Sequence, residues 1–143
     1  MIRPAREADL DALLVLCAEH AEYERASFDA EAARRNLGRF VFSDTPRAWC
    51  VIVEIEGALA GYATYSLEFS TWRAAEFVHM DCLFVRASHR DRGLGSQLMQ
   101  AVIDAARERG TWLEWQTPSW NADAIRFYDR LGATRSDKVR YRL

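Results

Sequence analysis

Arg90, Arg92, Gly93 and Gly95 fall within residues 90–95, between the apolar stretch ending Leu83-Phe84-Val85 and a run with helical spacing. A helix starting there presents backbone N–H groups without intrahelical partners at the positive end of its dipole, which suits an anion. Glycine at 93 and 95 lets a phosphate approach the backbone, and the arginines add positive charge. Arg90, Asp91, Arg92, Gly93, Leu94, Gly95 and Ser96 are therefore a candidate pyrophosphate cradle, though a glycine-tolerant turn with solvated arginines has the same composition. A P-loop is a poor fit, because Ser96 and Gln97 stand where it needs lysine and then serine or threonine. A dinucleotide fingerprint fits poorly too. It needs a third small residue where Leu98 stands and a tight turn after the strand, whereas residues 86–92 intervene.

Two further side chains could do chemistry. Asp81 interrupts an apolar strand, and simple alternation places it on one face with Phe77, His79, Leu83 and Val85. A carboxylate buried there needs a partner and is a site candidate; a bulge turning it to solvent, or into a salt bridge, is the other reading. Tyr128 shares a helical face with Ala124, Phe127 and Leu131 and points inward, as a general acid or as a core tyrosine whose hydroxyl meets a backbone group. His20, His79 and His89 have no metal-ligand spacing among themselves or with the cysteines, so no metal is expected. Trp49, Trp112 and Trp115 read as core, and Cys82 as a small core residue.

The elements that must position these groups follow from periodicity. Leu10, Leu13, Leu14, Cys17 and Ala21 predict a helix over 7–23 behind a short first strand. A second helix spans DAEAARRNLGRF, behind the helix-starting types Ser27 and Asp29. AWCVIVEI and LAGYATYSLEF flank Glu56-Gly57 as an antiparallel hairpin. A third strand covers 76–85, and the next helix carries Leu94, Leu98, Ala101, Val102 and Ala105 on one stripe up to Gly110. TWLEWQT reads as a strand, NADAIRFYDRLGA as a last helix, and TRSDKVRYRL as a closing strand. The expected order is β-α-α-β-β-β-α-β-α-β. This is a mixed α/β sheet in which the strands of 76–117 are parallel neighbours.

Bulk composition bounds the rest. The 143 residues suit one domain, and half are hydrophobic, enough for a packed core. Lysine plus arginine number 19 against 21 acidic residues, which argues against a dedicated nucleic-acid binder. Cys17, Cys50 and Cys82 are an odd, scattered set, so a reducing compartment is expected rather than a disulfide framework. The first residues lack a signal-peptide core, and no apolar run approaches the roughly 20 residues of a membrane span. The expectation is a soluble cytoplasmic chain without membrane or nucleic-acid partners.

Arg90-x-x-Gly93-x-Gly95, following a strand that ends Leu83-Phe84-Val85 and opening a helix, resembles the acetyl-CoA signature of the GNAT N-acetyltransferases. The downstream segment Asn121-Ala-Asp-Ala-Ile-Arg-Phe-Tyr128 is similar to that family as well. AEYER, STW, DCLFV and WNADAIRFYDRLGA look closest to its spermidine/spermine and thialysine branch. That branch usually carries a second acidic residue where Cys82 stands, so a polycationic acceptor is in question. The resemblance implies a single GNAT domain over 1–143, mostly antiparallel, with helices on both faces of the sheet and a parallel pair at the acetyl-CoA site. It implies that the main chain of Leu83, Phe84 and Val85 contacts the pantetheine arm, with Asn121 and Ala124 contacting pantetheine or pyrophosphate. It also implies that the Tyr128 hydroxyl lies beside the sulfur as general acid. Tyr23, Glu24 and Trp72 are placed at the acceptor by the same analogy. Asp81 then deprotonates or binds the ammonium of a small-molecule amine, by direct attack in a ternary complex, and the family is expected to dimerise. A non-catalytic acyl-CoA-binding module of the same fold, and a nucleotide-dependent enzyme, are the rival readings.

Overall fold

The computed structural model describes residues 1–143. In chain order it has β1 (Ile2–Pro4), a 3-10 turn (Glu7–Asp9) running into α1 (Leu10–Tyr23), α2 (Ala30–Val41), β2 (Ala48–Ile55) and β3 (Ala58–Ser70). Then come β4 (Ala75–Val85), α3 (Leu94–Glu108), β5 (Leu113–Trp115) and α4 (Ala122–Arg130). The strands form one five-stranded sheet in sequence order. All neighbours are antiparallel except β4 and β5, which are parallel and joined through α3.

Local chemistry explains several boundaries. Asp29 caps α2, its carboxylate accepting from the Ala32 amide at 3.0 Å. Glu56 and Gly57, at φ 51° and 80°, supply the two left-handed positions that a two-residue hairpin turn needs. Gly110, at φ 65°, takes the left-handed position just past α3.

Helices cover both faces of the sheet. Leu94, Leu98, Met99, Val102 and Ala105 of α3 bury against Val51, Val53, Ala63, Val78 and Met80. On the opposite face Leu13 and Leu16 of α1 meet Cys50, Ile52, Tyr62 and Phe84. No helix is long and apolar enough to cross a membrane.

The alternation expected along β4 is corrected by a bulge. Thr64 pairs with Cys82 but the next residue, Tyr65, pairs with Met80, so Asp81 is the extra residue. Before it, Val78 and Met80 face α3; after it, Leu83 and Val85 face α3 while Cys82 and Phe84 face α1. Asp81 is therefore exposed rather than buried with Phe77 and Leu83.

The strand expected over 134–143 does not form. Those residues carry no regular structure, and Val139, Tyr141 and Leu143 are exposed. The sheet ends at β5, which pairs with β4 alone.

Candidate active site

β4 and β5 pair only from Val78 and Leu113 to Met80 and Trp115. Beyond Met80, β4 keeps β3 on one side as far as Val85 and has no strand on the other. The two parallel strands therefore part, and the free edge of residues 81–85 opens on a cleft of about 780 Å³. An edge of unpaired N–H and C=O groups can bind an extended, amide-bearing ligand as a neighbouring strand would.

The loop after β4 closes one end of this cleft. Gly93 is the residue before α3, at φ 73°, and the first intrahelical bond runs from the Gln97 amide to its carbonyl at 3.1 Å. None of the amides of residues 91–96 donates to a backbone carbonyl. A Cβ built at Gly95 would lie 3.7 Å from Phe127 and 4.0 Å from Val85, ordinary contact distances. The chain's own packing thus does not demand glycine at 95, and the space it leaves belongs to the cleft. Free amides at a long helix's N-terminus, with that space in front of them, fit a pyrophosphate.

Two arginines fix this loop, in ways their sequence position did not disclose. The Arg86 guanidinium donates to both Glu19 carboxylate oxygens at 2.9 and 3.0 Å and to the Leu59 carbonyl, tying the end of β4 to α1. Arg90 donates through Nε to the Val85 carbonyl at 2.9 Å, and its guanidinium lies 4.7 Å over the Tyr23 ring. Arg90 thus clamps the loop onto β4 and α1. Arg92 is exposed and does not line the cleft, whereas Asp91, Gly93, Leu94, Gly95 and Ser96 do.

α4 forms the opposite wall. Asn121 is buried at 4% exposure and caps α4, its side-chain oxygen accepting from the Ala124 amide and from the Tyr23 hydroxyl, both at 3.2 Å. This bond joins the ends of α1 and α4 across the cleft. Tyr128 packs against Trp115 and Phe127, and its ring lines the cleft. Burial pushes its phenol well above the ordinary value of 10, and the nearby Glu24 charge pushes the same way. The phenol therefore stays a proton donor throughout the neutral range.

At the other end stand Glu24, Asp81 and a residue that sequence reasoning passed over, His20. His20 is 7% exposed, and it continues the buried Leu13 and Leu16 stripe of α1. A titratable residue on an apolar helical stripe is the signal that could have found it. Its Nε2 lies 3.1 Å from a Glu24 carboxylate oxygen and its Nδ1 lies 2.8 Å from the Tyr62 hydroxyl. Trp72 is not part of this cleft: it is 96% exposed on the turn between β3 and β4, beside Phe69 and Arg73. Gly61 was also unforeseen, and a Cβ there would sit 2.6 Å from the Phe84 carbonyl, so glycine lets β3 pass close to the end of β4. No group of three or more histidine, cysteine or acidic side chains is arranged to hold a metal.

A sheet whose parallel pair parts beside the free amides of a helix start defines an acetyltransferase fold, and the sequence agrees. Residues 9–133 match the Acetyltransferase (GNAT) family, and the chain belongs to that family. Thialysine N-epsilon-acetyltransferase of Bos taurus is 31% identical over 93% of this chain and 83% of its own length. A D-amino-acid N-acetyltransferase of Saccharomyces cerevisiae is 28% identical over 99% of the chain and 89% of its own. In fold, the chain superposes on an aminoglycoside N-acetyltransferase in complex with CoA with a TM-score of 0.84 at 19% identity, over the whole chain and 93% of that structure. The protein is thus a GNAT acetyltransferase, and its relatives are consistent with the thialysine branch.

Proposed function

We propose that this protein transfers acetyl from acetyl-CoA to a primary amine of a small cationic molecule, such as a diamine or an amino-acid-like amine, by direct attack in a ternary complex. One observation carries this reading: the free edge of β4, the unpaired amides of 91–96, the Tyr128 phenol and the Glu24 carboxylate all open on one cleft. Acetyl-CoA supplies the activated thioester. The amides of Asp91 to Ser96 hold its pyrophosphate, while the main chain of Leu83, Phe84 and Val85, with Asn121 and Ala124, takes the pantetheine arm.

The amine nitrogen bonds to the thioester carbon, the carbon–sulfur bond breaks, and the sulfur leaves with the electron pair. An aliphatic ammonium with a pKa of about 10.4 must first lose a proton, which passes to water held by the Glu24 and Asp81 carboxylates. The Tyr128 hydroxyl donates a hydrogen bond to the departing sulfur. The upward shift that keeps the phenol protonated also makes complete transfer of that proton uphill. Its part is therefore a hydrogen bond that strengthens as charge develops, with solvent supplying the final proton.

Cysteine chemistry gains no support from the geometry. Cys82 does not line the cleft, and burial, followed by the adjacent Asp81 charge, pushes its thiol up to about 12. Three unpaired cysteines fit a reducing cytoplasm, and a homodimer accords with the family resemblance.

The test is thiol release from acetyl-CoA across diamines, polyamines, amino acids and neutral-tailed amines, alongside thermal shift with CoA and with NAD. Turnover of cationic amines with stabilisation by CoA is expected. Stabilisation by NAD but not CoA would overturn the reading, and CoA binding without turnover of any amine would favour an acyl-CoA-binding module.

A further inference from the structure

Glu24 is the residue that ends α1, where the negative end of the helix dipole disfavours a carboxylate. Helix stability therefore does not account for it. No arginine or lysine pairs with it either. The adjacent Arg25 lies 4.2 Å over the Trp120 ring, and Arg90 lies over Tyr23. Its partner is His20, at 3.1 Å.

The partners of His20 fix its ring. A carboxylate only accepts hydrogen bonds, so Nε2 carries the hydrogen and donates to Glu24. In the neutral ring Nδ1 is the acceptor and takes the Tyr62 hydroxyl, whose own proton is held by deep burial. Phe84 stacks on the imidazole at 4.9 Å and 18°, so the ring has one orientation. The nitrogen facing the cleft is already protonated, so His20 is not placed to accept a proton from the acceptor. The Glu24 carboxylate beside this ring faces the cleft. Its charge lies close enough to Tyr128 to help raise the phenol.

We propose that His20 is a positioning residue for acceptor recognition: wedged between Phe84 and Tyr62, it holds the Glu24 carboxylate at the cleft so that the carboxylate meets an acceptor ammonium. This rests on the acetyltransferase reading above, with Glu24 on the acceptor side.

The test uses the full chain with acetyl-CoA and 1,5-diaminopentane as acceptor. His20→Phe is expected to raise the KM for the diamine about tenfold, with kcat within about threefold. Glu24→Gln should do at least as much, and the double variant should be no worse than Glu24→Gln alone, because the two act as one unit. His20→Gln, whose amide can still donate to Glu24, should recover most of the loss. Nitrogen-15 NMR of the His20 ring gives a readout independent of turnover. It should show the Nε2–H tautomer, a shift when diamine is added to the CoA-loaded protein, and no such shift in Glu24→Gln. Multiplying single effects, an unchanged KM in His20→Phe, or a shift that persists in Glu24→Gln overturns the proposal while leaving acetyl transfer standing. No acetyl transfer to any amine, together with an unmoved ring signal, overturns both.

Discussion

Replacing Tyr128 by phenylalanine separates the chemistry from the scaffold. The ring sits between Trp115 and Phe127, contacts that phenylalanine retains. No protein group hydrogen-bonds the hydroxyl, which opens on the cleft, so its loss should change stability by no more than about 0.5 kcal/mol. For a chain of this size that moves Tm by roughly 2 °C. The catalytic cost is larger. A hydrogen bond to a charged acceptor contributes about 1.5–3 kcal/mol, and at about 1.4 kcal/mol per decade its loss slows turnover about 10- to 150-fold. CoA affinity should stay within about twofold, since the group acts only as the sulfur gains charge. Steady-state thiol release, calorimetric CoA titration and a melting curve on one preparation measure all three quantities. A variant with kcat within about threefold of the parent and unchanged CoA binding would show that the sulfur is served by water, not by Tyr128.

Gly95→Val should leave the fold intact, since a Cβ there makes only ordinary contacts, but should weaken CoA binding by about tenfold or more by filling the space before the free amides; calorimetry reads the ratio. Asn121→Ala should lose roughly 2 kcal/mol, half from the α4 cap and half from the bond to Tyr23, whereas Tyr23→Phe should lose about 1 kcal/mol; equal losses in urea melts would mean that the cap is not what Asn121 supplies. The Arg3 guanidinium, hydrogen-bonded to Asp9 at 2.8 and 2.9 Å, holds that carboxyl down at about 2 from 3.8. A lowered folded pKa stabilises above the unfolded value and is lost as pH falls through the folded one, so Tm should drop between pH 4 and 2, and Arg3→Met should flatten that limb while lowering Tm at neutral pH.

Much of the molecule was legible as pattern. Helical periodicity placed α1, α3 and α4 within a few residues, and Gly57 and Gly110 marked turns whose left-handed backbone angles favour glycine. The anion cradle was legible because a strand, a glycine-bearing loop and a helix start form one local unit. Asp81 was not: whether it lies with Phe77 or turns outward depends on which β3 residue it faces, and the bulge opposite Thr64 and Tyr65 is a property of two strands. The strand expected over 134–143 is a similar case, since a strand forms only where its backbone pairs with another, and those residues pair with none.

The amino-acid sequence by itself determined the element order as far as α4, the parallel unit and the family, because these depend on local periodicity and on motifs read along the chain. Only the tertiary structure decided where the site's side chains meet. It set the Arg90 guanidinium over Tyr23, left Trp72 outside the cleft, joined Tyr23 to Asn121, and set His20 between Glu24 and Tyr62. These contacts link residues that are distant in the chain, such as Tyr23 and Asn121, or that are neighbours only by way of a buried third partner. Spacing along a helix, or along a strand without a bulge, determines which face a side chain occupies, but the group it touches is supplied by whichever element packs against that face.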